Sequence, residues 1–186
     1  QPIKGTAPRH SDLKEDKISS NHLLSSAKDR AENVMITDLL RNDLGKFCLP
    51  GSILVTELCS LKSYKNVHHL VSSIKGQLRA EFSSGDLLIG ASPGGSITGA
   101  PKKRAVEIIA ELESHPRGAY CGSLFIMAGD SWLHSSIAIR TLETRGNRMF
   151  CWGGGGITIG SDWISEYQES LDKVGPIMSL LEAGGQ

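Results

Sequence analysis

The sequence has no long apolar run. Among its 186 residues, no segment approaches the roughly 18 to 20 consecutive apolar residues that a membrane-spanning helix needs. The N-terminus also lacks the charged and then apolar pattern of a secretory signal peptide. We therefore expect a cytoplasmic location and no membrane partner.

Charge of one sign is equally scarce. The 20 basic residues balance the 20 acidic residues, and the sequence contains no block of about five or six like charges. It therefore gives no general electrostatic reason to bind nucleic acid or an anionic membrane. Any anionic ligand must be bound by groups close to it in the fold.

Cysteine is sparse and unevenly spaced. The four cysteines are Cys48, Cys59, Cys121 and Cys151, and no two of them form a C-x-x-C pair. Neither a zinc site nor a redox motif is therefore indicated. We expect buried or half-buried free thiols, because disulfides would need an oxidising compartment for which nothing else argues.

The length and composition are typical of one globular domain. The chain is 39% hydrophobic and 22% charged, and it is long enough for one well-packed domain but short for two. We predict a single catalytic region over residues 1–186. Because the chain starts without Met at the edge of a motif, we also expect it to be the C-terminal half of a longer protein.

Hydrophobic periodicity predicts a mixture of helices and strands. Steps of three and four residues between apolar positions indicate amphipathic helices, and clusters of β-branched and aromatic residues indicate strands. The predicted helices cover residues 20–46, as one or two helices, and residues 86–89, 102–112 and 164–181. The helix over 102–112 is expected to point Ala105, Ile108, Ile109 and Leu112 inward. The predicted strands cover residues 52–74 as a pair with a turn at 65–66, then 119–128, 132–144 and 148–152.

A glycine-rich segment over residues 93–102 could bind an anion. It is not a phosphate-binding loop, because Ala-Pro stands between its last glycine and Lys102. A tight turn before a helix that starts at proline would explain the glycines and prolines. That interpretation does not explain why Ser96, Thr98 and Lys102 occur together.

Two other features could bind carboxylates. The run Gly153–Gly156 follows an apolar strand, and its unshielded amide groups could donate to a carboxylate. The alternative is an ordinary flexible turn. Arg140 lies on a predicted apolar strand, and a buried guanidinium requires an anionic partner, which could be a ligand or an internal carboxylate.

Two predicted helices each carry a pair of carboxylates three residues apart. Asp29 and Glu32 share one helix face, and Glu166 and Glu169 share another, together with Lys173. Each could be an ordinary salt-bridged surface. If the two helices face each other, four carboxylates could instead bind a hard cation such as Mg²⁺.

Two adjacent histidines and one lysine are further candidates. His68 and His69 lie in a predicted strand and point to opposite faces, so at most one of them reaches a given site. The more common role of a lone histidine is structural. Lys4 lies in the rigid context Pro-Ile-Lys-Gly-Thr, where it is either a solvated charge or a nucleophile.

These motifs, in this order, resemble the chorismate-binding enzymes, the family of the anthranilate synthase and aminodeoxychorismate synthase large subunits. The resemblance implies an α+β fold with two layered, mostly antiparallel sheets in a β-sandwich and helices outside. The motifs that carry the resemblance lie at residues 2–6, 28–45, 67–72, 94–102, 139–141 and 166–169.

The resemblance also implies an activity. Family members that form anthranilate resemble Pro-Ile-Ala-Gly-Thr in the first motif, whereas those that form aminodeoxychorismate have lysine where this chain has Lys4. We therefore expect amination of chorismate to 4-amino-4-deoxychorismate, on the 4-aminobenzoate and folate branch, with ammonia from a glutamine amidotransferase subunit. The alternatives are anthranilate, isochorismate or salicylate formation, and a non-catalytic fragment with an incomplete site.

Roles for individual residues follow from the same resemblance. Lys4 would attack the ring and form a covalent intermediate, while His69 would act as acid and base beside the departing hydroxyl. The Mg²⁺ ligands would be Glu32 and Glu169, supported from the outer shell by Asp29 and Glu166. The substrate-binding residues would be Thr6, Ser96, Thr98, Tyr120, Arg140, Gly154, Gly155, Gly156 and Lys173.

Overall fold

The computed structural model describes residues 1–129 and 132–184 as a mixture of helices and strands. Every pair of strands within these residues is antiparallel, so the α+β fold class is confirmed. The chain divides into two compact units, Gln1–Ala91 (unit 1) and Ser92–Gln186 (unit 2). This division describes how the chain packs and does not test catalysis. The single catalytic region over residues 1–186 therefore stays a prediction.

Unit 1 contains a three-stranded sheet and three helices. The strand order is β1-β3-β2, so β3, the strand with the most buried residues, lies in the centre. The elements in chain order are β1 (Ile3–Pro8), α1 (Leu13–Ser25), α2 (Ala27–Gly45), β2 (Leu54–Ser63), β3 (Val67–Lys75) and α3 (Ser84–Ala91).

Most sequence predictions for unit 1 are confirmed, with two differences. The helical region over 20–46 is two helices, and α1 begins earlier than predicted because the Asp12 side chain accepts hydrogen bonds from the amides of Lys14 and Glu15, a typical N-cap. Strand β1 was not predicted. Its Gly-Thr-Ala-Pro sequence has little β-propensity, and its pairing with β3 is a long-range effect.

The core of unit 1 lies where α1 meets the sheet. Ala7 of β1, Leu23 of α1 and Leu70 of β3 form a buried cluster, and Leu61 of β2 packs against it. Leu70 is fully buried. This packing fixes β1 and β3 side by side, and these strands carry Lys4 and His69.

The described residues of unit 2 form two hairpins and three helices. Strand β4 pairs with β5, and β6 pairs with β7. The elements in chain order are α4 (Gly95–Thr98), α5 (Lys102–Leu112), β4 (Ser123–Ala128), β5 (Trp132–Ile137), β6 (Thr141–Arg145), β7 (Arg148–Trp152) and α6 (Trp163–Ala183). The helices predicted over 102–112 and 164–181 are confirmed. The strand predicted over 132–144 is two strands, and the short helix α4 was not predicted.

Unit 2 buries few apolar side chains. Of the buried hydrophobic residues in the described part of the chain, only Val174 belongs to unit 2. Leu112, predicted to face a core, is 78% exposed, and Leu124 in β4 is 70% exposed. The prediction that Leu112 points inward was wrong because periodicity identifies an apolar helix face but not whether anything covers it.

Two predictions about absences can be compared with the structure. All four cysteines are free, with Cys48 and Cys59 buried and the other two half-buried, as expected. Among the described residues, no helix combines the length and apolar character needed to cross a bilayer.

Candidate active site

Lys4 lies in an irregular part of β1. The register between β1 and β3 shifts between Ile3 and Thr6, and Gly5 has a φ of +89°, which favours glycine. A Cβ on Gly5 would lie 3.0 Å from Asp29 Cβ. The backbone beside Lys4 is therefore pressed against the acidic face of α2, and only glycine allows that approach.

His69 and Thr6 are paired across β1 and β3. Thr6 Oγ1 lies 2.9 Å from His69 Nδ1, and the rings of Tyr64 and His69 are 5.5 Å apart. The threonine therefore fixes the orientation of the imidazole on the strand next to the one that carries Lys4.

His68 contacts a different set of groups, as predicted for its opposite face. It is 3% exposed, with Nδ1 2.8 Å from Ser63 Oγ and Nε2 3.0 Å from Asp16 Oδ1. A side-chain hydrogen bond from Arg9 holds the pKa of Asp16 well below its usual range, assisted by the His10 amide and His68. Both ring nitrogens of His68 are thus engaged in a structural network that ties α1 to the sheet.

The carboxylates of α2 lie one helical turn apart. The helix starts at Ser26, whose side chain accepts a 3.2 Å hydrogen bond from the Asp29 amide. Asp29 contacts β1 at Gly5, and Glu32 follows on the same helix face. Both side chains are half-buried, so the acidic pair predicted from sequence lies on the helix that packs beside Lys4.

Asn33 was not identified from sequence as part of this region. It is fully buried, and its side-chain amide donates to Leu70 O at 3.0 Å and to Lys4 O at 3.5 Å. Its carbonyl oxygen accepts from Ser72 Oγ at 2.5 Å. Asn33 therefore connects α2 with both strands that carry the catalytic candidates.

In unit 2, the glycine run lies against Tyr120 and side chains of α6. A Cβ on Gly153 would lie 2.3 Å from Val174 Cγ1, and one on Gly154 would lie 2.8 Å from the Tyr120 hydroxyl oxygen. At Gly155 the nearest atom would be Glu166 Oε2, at 3.2 Å. The glycines therefore let helix α6 and Tyr120 approach the backbone closely.

Helix α6 brings three predicted site residues to this segment. Lys173 Nζ donates to Gly154 O at 3.1 Å and forms a 2.6 Å ion pair with Glu169. Glu166 is 9% exposed and accepts a 2.6 Å hydrogen bond from Ser161 Oγ. The ion pair joins Glu169 and Lys173, which lie one helical turn apart. This pairing is consistent with the prediction that both residues share a helix face with Glu166.

Tyr120 is held between an aromatic ring and a cation. Its ring stacks on Trp152 with centroids 6.0 Å apart, and the Arg117 guanidinium lies 5.7 Å from its centroid. Burial is the main cause that raises the pKa of Tyr120 to about 12. The phenol therefore stays protonated at neutral pH and can donate a hydrogen bond beside Gly154.

Ser96 and Thr98 lie in α4, next to the end of β5. The Thr98 hydroxyl donates to Gly94 O at 3.3 Å, and a Cβ on Gly94 would lie 2.7 Å from Ile137 Cδ1. The segment predicted as a glycine-rich loop is thus a helical turn packed against the last residue of a strand. This packing places Gly94, the residue before α4, beside the last residue of β5.

The predicted placement of Arg140 on a buried strand was wrong. Strand β5 ends at Ile137, and Ala138 then bonds to the residues before β4, with its amide donating to Gly122 O and its carbonyl accepting from the Cys121 amide. Arg140 follows with a φ of +48° and an exposed side chain. Arg140 therefore does not need an anionic partner on the ground of burial. Its exposed guanidinium is accessible to a ligand, and its backbone has a sparsely populated conformation of a kind that clusters at functional sites.

No group of three His, Cys, Asp or Glu residues is placed to hold a metal ion within the described residues. The donor chemistry nevertheless fits Mg²⁺, which takes one or two carboxylates together with waters and substrate oxygens. The buried Glu166 carboxylate also fits a supporting role, because burial and the Ser161 hydrogen bond fix its position. The four predicted carboxylates lie as one pair on α2 and one pair on α6.

Comparison with known proteins adds independent information. A profile of the chorismate binding enzyme family matches residues 1–179. The chain is 50% identical to aminodeoxychorismate synthase component 1 of Escherichia coli over 98% of its length. It is 39% identical to anthranilate synthase component 1 of Synechocystis, also over 98%. These matches cover 40% and 37% of the relatives, so the chain spans about two fifths of their length.

The fold leads to the same family. The solved structure of anthranilate synthase component I from Streptococcus pneumoniae matches this chain with a TM-score of 0.81 and 34% sequence identity. The match covers 92% of this chain and 41% of that chain. Because the family profile covers nearly the whole sequence, the chain belongs to the family of chorismate-binding enzymes.

Proposed function

We propose that this chain carries the catalytic part of an enzyme that aminates chorismate to 4-amino-4-deoxychorismate. The observation that carries the proposal is the placement of Lys4 in the bulged part of β1, against the acidic helix α2. The higher identity to an aminodeoxychorismate synthase than to an anthranilate synthase, 50% against 39%, favours the same activity.

Lys4 and His69 would carry out the covalent steps. The neutral Lys4 amine would form a C–N bond to the ring while the ring C–O bond breaks, and His69 would protonate the departing hydroxyl, which leaves as water. Ammonia would then form the product C–N bond as the bond to Lys4 breaks, and surplus protons would return through His69. Thr6 would keep the imidazole in position through its 2.9 Å contact.

Unit 2 would contribute groups that bind carboxylates and hydroxyls. Tyr120 is a protonated donor beside Gly154, Lys173 lies 3.1 Å from the carbonyl of the same glycine, and Arg140 presents an exposed guanidinium. Charge-assisted hydrogen bonds of this kind suit a dicarboxylate. The other proposed substrate-binding residues are Thr6, Ser96, Thr98, Gly155 and Gly156.

A divalent cation would complete the site. Bound Mg²⁺ would offset the negative charge of the substrate carboxylates. We propose Glu32 and Glu169 as its ligands, with Asp29 and Glu166 in the outer shell. Glu169 forms a 2.6 Å ion pair with Lys173 in this structure.

Ammonia would come from a glutamine amidotransferase subunit. This part of the proposal is supported by the names of the relatives, which are called component 1. The folate branch and the cytoplasmic location stay predictions of the same proposal.

Product analysis tests the proposal directly. The chain is incubated with chorismate, Mg²⁺ and an ammonium salt, and products are separated by mass-resolved chromatography, with the E. coli relative as a positive control. We expect 4-amino-4-deoxychorismate from the chain and its loss in Lys4→Ala. Anthranilate or isochorismate as the product would contradict the assignment, and no turnover beside an active control would favour the non-catalytic alternative.

A further inference from the structure

We propose that Asn33 is a positioning residue that holds Lys4 in place for the reaction. The inference rests on the proposed function, because it assigns a structural cause to the placement of the nucleophile. Asn33 lies on α2 directly after Glu32, and its side-chain amide donates to backbone carbonyl groups of β1 and β3. It acts through the backbone of the two strands that carry Lys4 and His69.

Both donors of the Asn33 side chain are used. Its NH₂ group donates to Leu70 O at 3.0 Å and to Lys4 O at 3.5 Å. Its oxygen accepts from Ser72 Oγ at 2.5 Å, while the Thr37 hydroxyl donates to the backbone carbonyl of Asn33 at 2.7 Å. The fully buried amide therefore has partners for both of its N–H groups and for its oxygen.

The location of these bonds gives Asn33 its role. Ile3 pairs with Val71 and Thr6 pairs with His69, but the register shifts between these two pairs. Lys4 lies within this break, and Leu70 lies opposite it. Asn33 donates to the carbonyl groups of both, so the helix supplies a bridge where the regular pairing of the strands is interrupted.

The same residue couples the nucleophile to the carboxylates. Because Glu32 and Asn33 are consecutive in one helix, a shift of Lys4 relative to Asn33 is also a shift relative to Glu32. Asp29 contacts the other side of the bulge at Gly5. Two positions on α2, Asp29 and Asn33, thus contact this part of β1, and Asn33 is the one that binds the backbone of Lys4.

The test measures the reactivity of the Lys4 amine, which does not depend on turnover. The full chain is labelled with a limiting amount of acetic anhydride, and peptide mass spectrometry gives the labelling rate of Lys4 relative to exposed Lys17. The variant Asn33→Asp has the same shape but loses the donors to both carbonyl groups. The control Thr37→Val removes a buried hydroxyl from the same helix, and that hydroxyl does not reach β1.

We expect Asn33→Asp to change the relative labelling rate of Lys4 by about fivefold or more, because small displacements strongly alter reactivity. Thr37→Val should leave the rate within about twofold of the unchanged chain. In an ammonia-dependent assay the Asn33 variant should lower kcat more than it raises KM. Folded Asn33→Asp protein with unchanged Lys4 labelling would overturn the inference.

A second measurement covers the case in which Asn33→Asp does not fold. In the unchanged chain, selective acetylation of Lys4 should shift the side-chain NH₂ signals of Asn33 in a ¹⁵N NMR spectrum, and unshifted signals would overturn the inference. Failure of the proposed function gives a different result. In that case chorismate does not protect Lys4 from labelling, whereas the dependence of labelling on Asn33 persists.

Discussion

The two units differ in what holds their predicted site residues. Unit 1 encloses a hydrophobic cluster and a fully buried Asn33, and Lys4 and His69 lie on strands fixed by this packing. In unit 2 the predicted residues lie on a glycine segment, turns and α6. Only Val174 is a buried hydrophobic residue of unit 2 in the described part of the chain.

The difference teaches that the two sets of residues depend on different forces. Lys4 and His69, the proposed nucleophile and acid–base residue, lie on strands held by buried packing and satisfied polar groups, which resist displacement. The substrate-binding candidates are placed by individual polar contacts, such as Lys173 with Gly154 and Ser161 with Glu166. Changes in unit 1 should therefore reduce stability, and changes in unit 2 should mainly reduce binding.

The largest contrast is expected between two leucines. Leu70→Ala removes a fully buried side chain from the core of unit 1 and should lower the free energy of unfolding by about 2 to 5 kcal/mol. Leu124→Ala, at a position 70% exposed in unit 2, should cost less than about 0.5 kcal/mol. Urea denaturation of both variants measures the loss in the free energy of unfolding. Equal losses would contradict the proposed difference in packing between the two units.

A second contrast uses two glycines with positive φ. Gly5→Ala adds strain at a φ of +89° and a Cβ that would lie 3.0 Å from Leu23 and Asp29, so it should cost about 2 to 4 kcal/mol. Gly146→Ala, with a φ of +61° and open space around it, should cost about 1 to 2 kcal/mol. Thermal unfolding of both variants provides the measurement. A Gly146 variant at least as destabilised as the Gly5 variant would show that α2 does not confine the bulge.

Lys173→Met should separate binding from stability in unit 2. The change removes the 3.1 Å hydrogen bond to Gly154 O and the ion pair with Glu169. Because both Lys173 and Glu169 are partly exposed, the stability cost should be about 1 kcal/mol or less. Loss of a charged donor should weaken chorismate binding about tenfold, as measured by isothermal titration calorimetry. Unchanged affinity would argue against a substrate-binding role for Lys173.

The smallest expected effect is a change in the pH dependence of unit 1. The pKa of Asp16 is lowered, chiefly by the Arg9 hydrogen bond. Its contribution to stability is therefore fully present above the ordinary Asp pKa of about 3.9 and is lost as the pH falls through the lowered value. Asp16→Asn should make urea midpoints between about pH 5 and pH 2 less dependent on pH. If the urea midpoints of Asp16→Asn vary with pH as those of the unchanged chain do, the predicted contribution of the Asp16 carboxylate to stability would be contradicted.

Much of the fold could be predicted from the sequence, since its strongest patterns are local. Helices α2, α5 and α6 have clear periodicity, and the β2–β3 pair has two β-rich runs around a turn. Strand β1 and the break at Ala138 were missed. Both depend on long-range pairing, which local propensity does not contain.

The candidate site shows the same division. Lys4, His69 and the acidic pairs could be proposed as site residues because their motifs are contiguous in sequence. The network of His68, Asp16 and Arg9 was missed because its members lie far apart in the chain. Asn33 did carry a signal, since it is a polar residue one turn before the buried Ile36 and Thr37 on the same helix. A polar residue on the buried face of a helix requires hydrogen-bonding partners.

The measurement that tests the central claim most directly is peptide mass spectrometry of the chain after incubation with chorismate and Mg²⁺ without ammonia. Our account predicts an adduct on Lys4 with the mass of chorismate less one water, and its disappearance when an ammonium salt is added. An adduct on a different residue would contradict the account. So would amination that proceeds with no Lys4 adduct and is unaffected by Lys4→Ala.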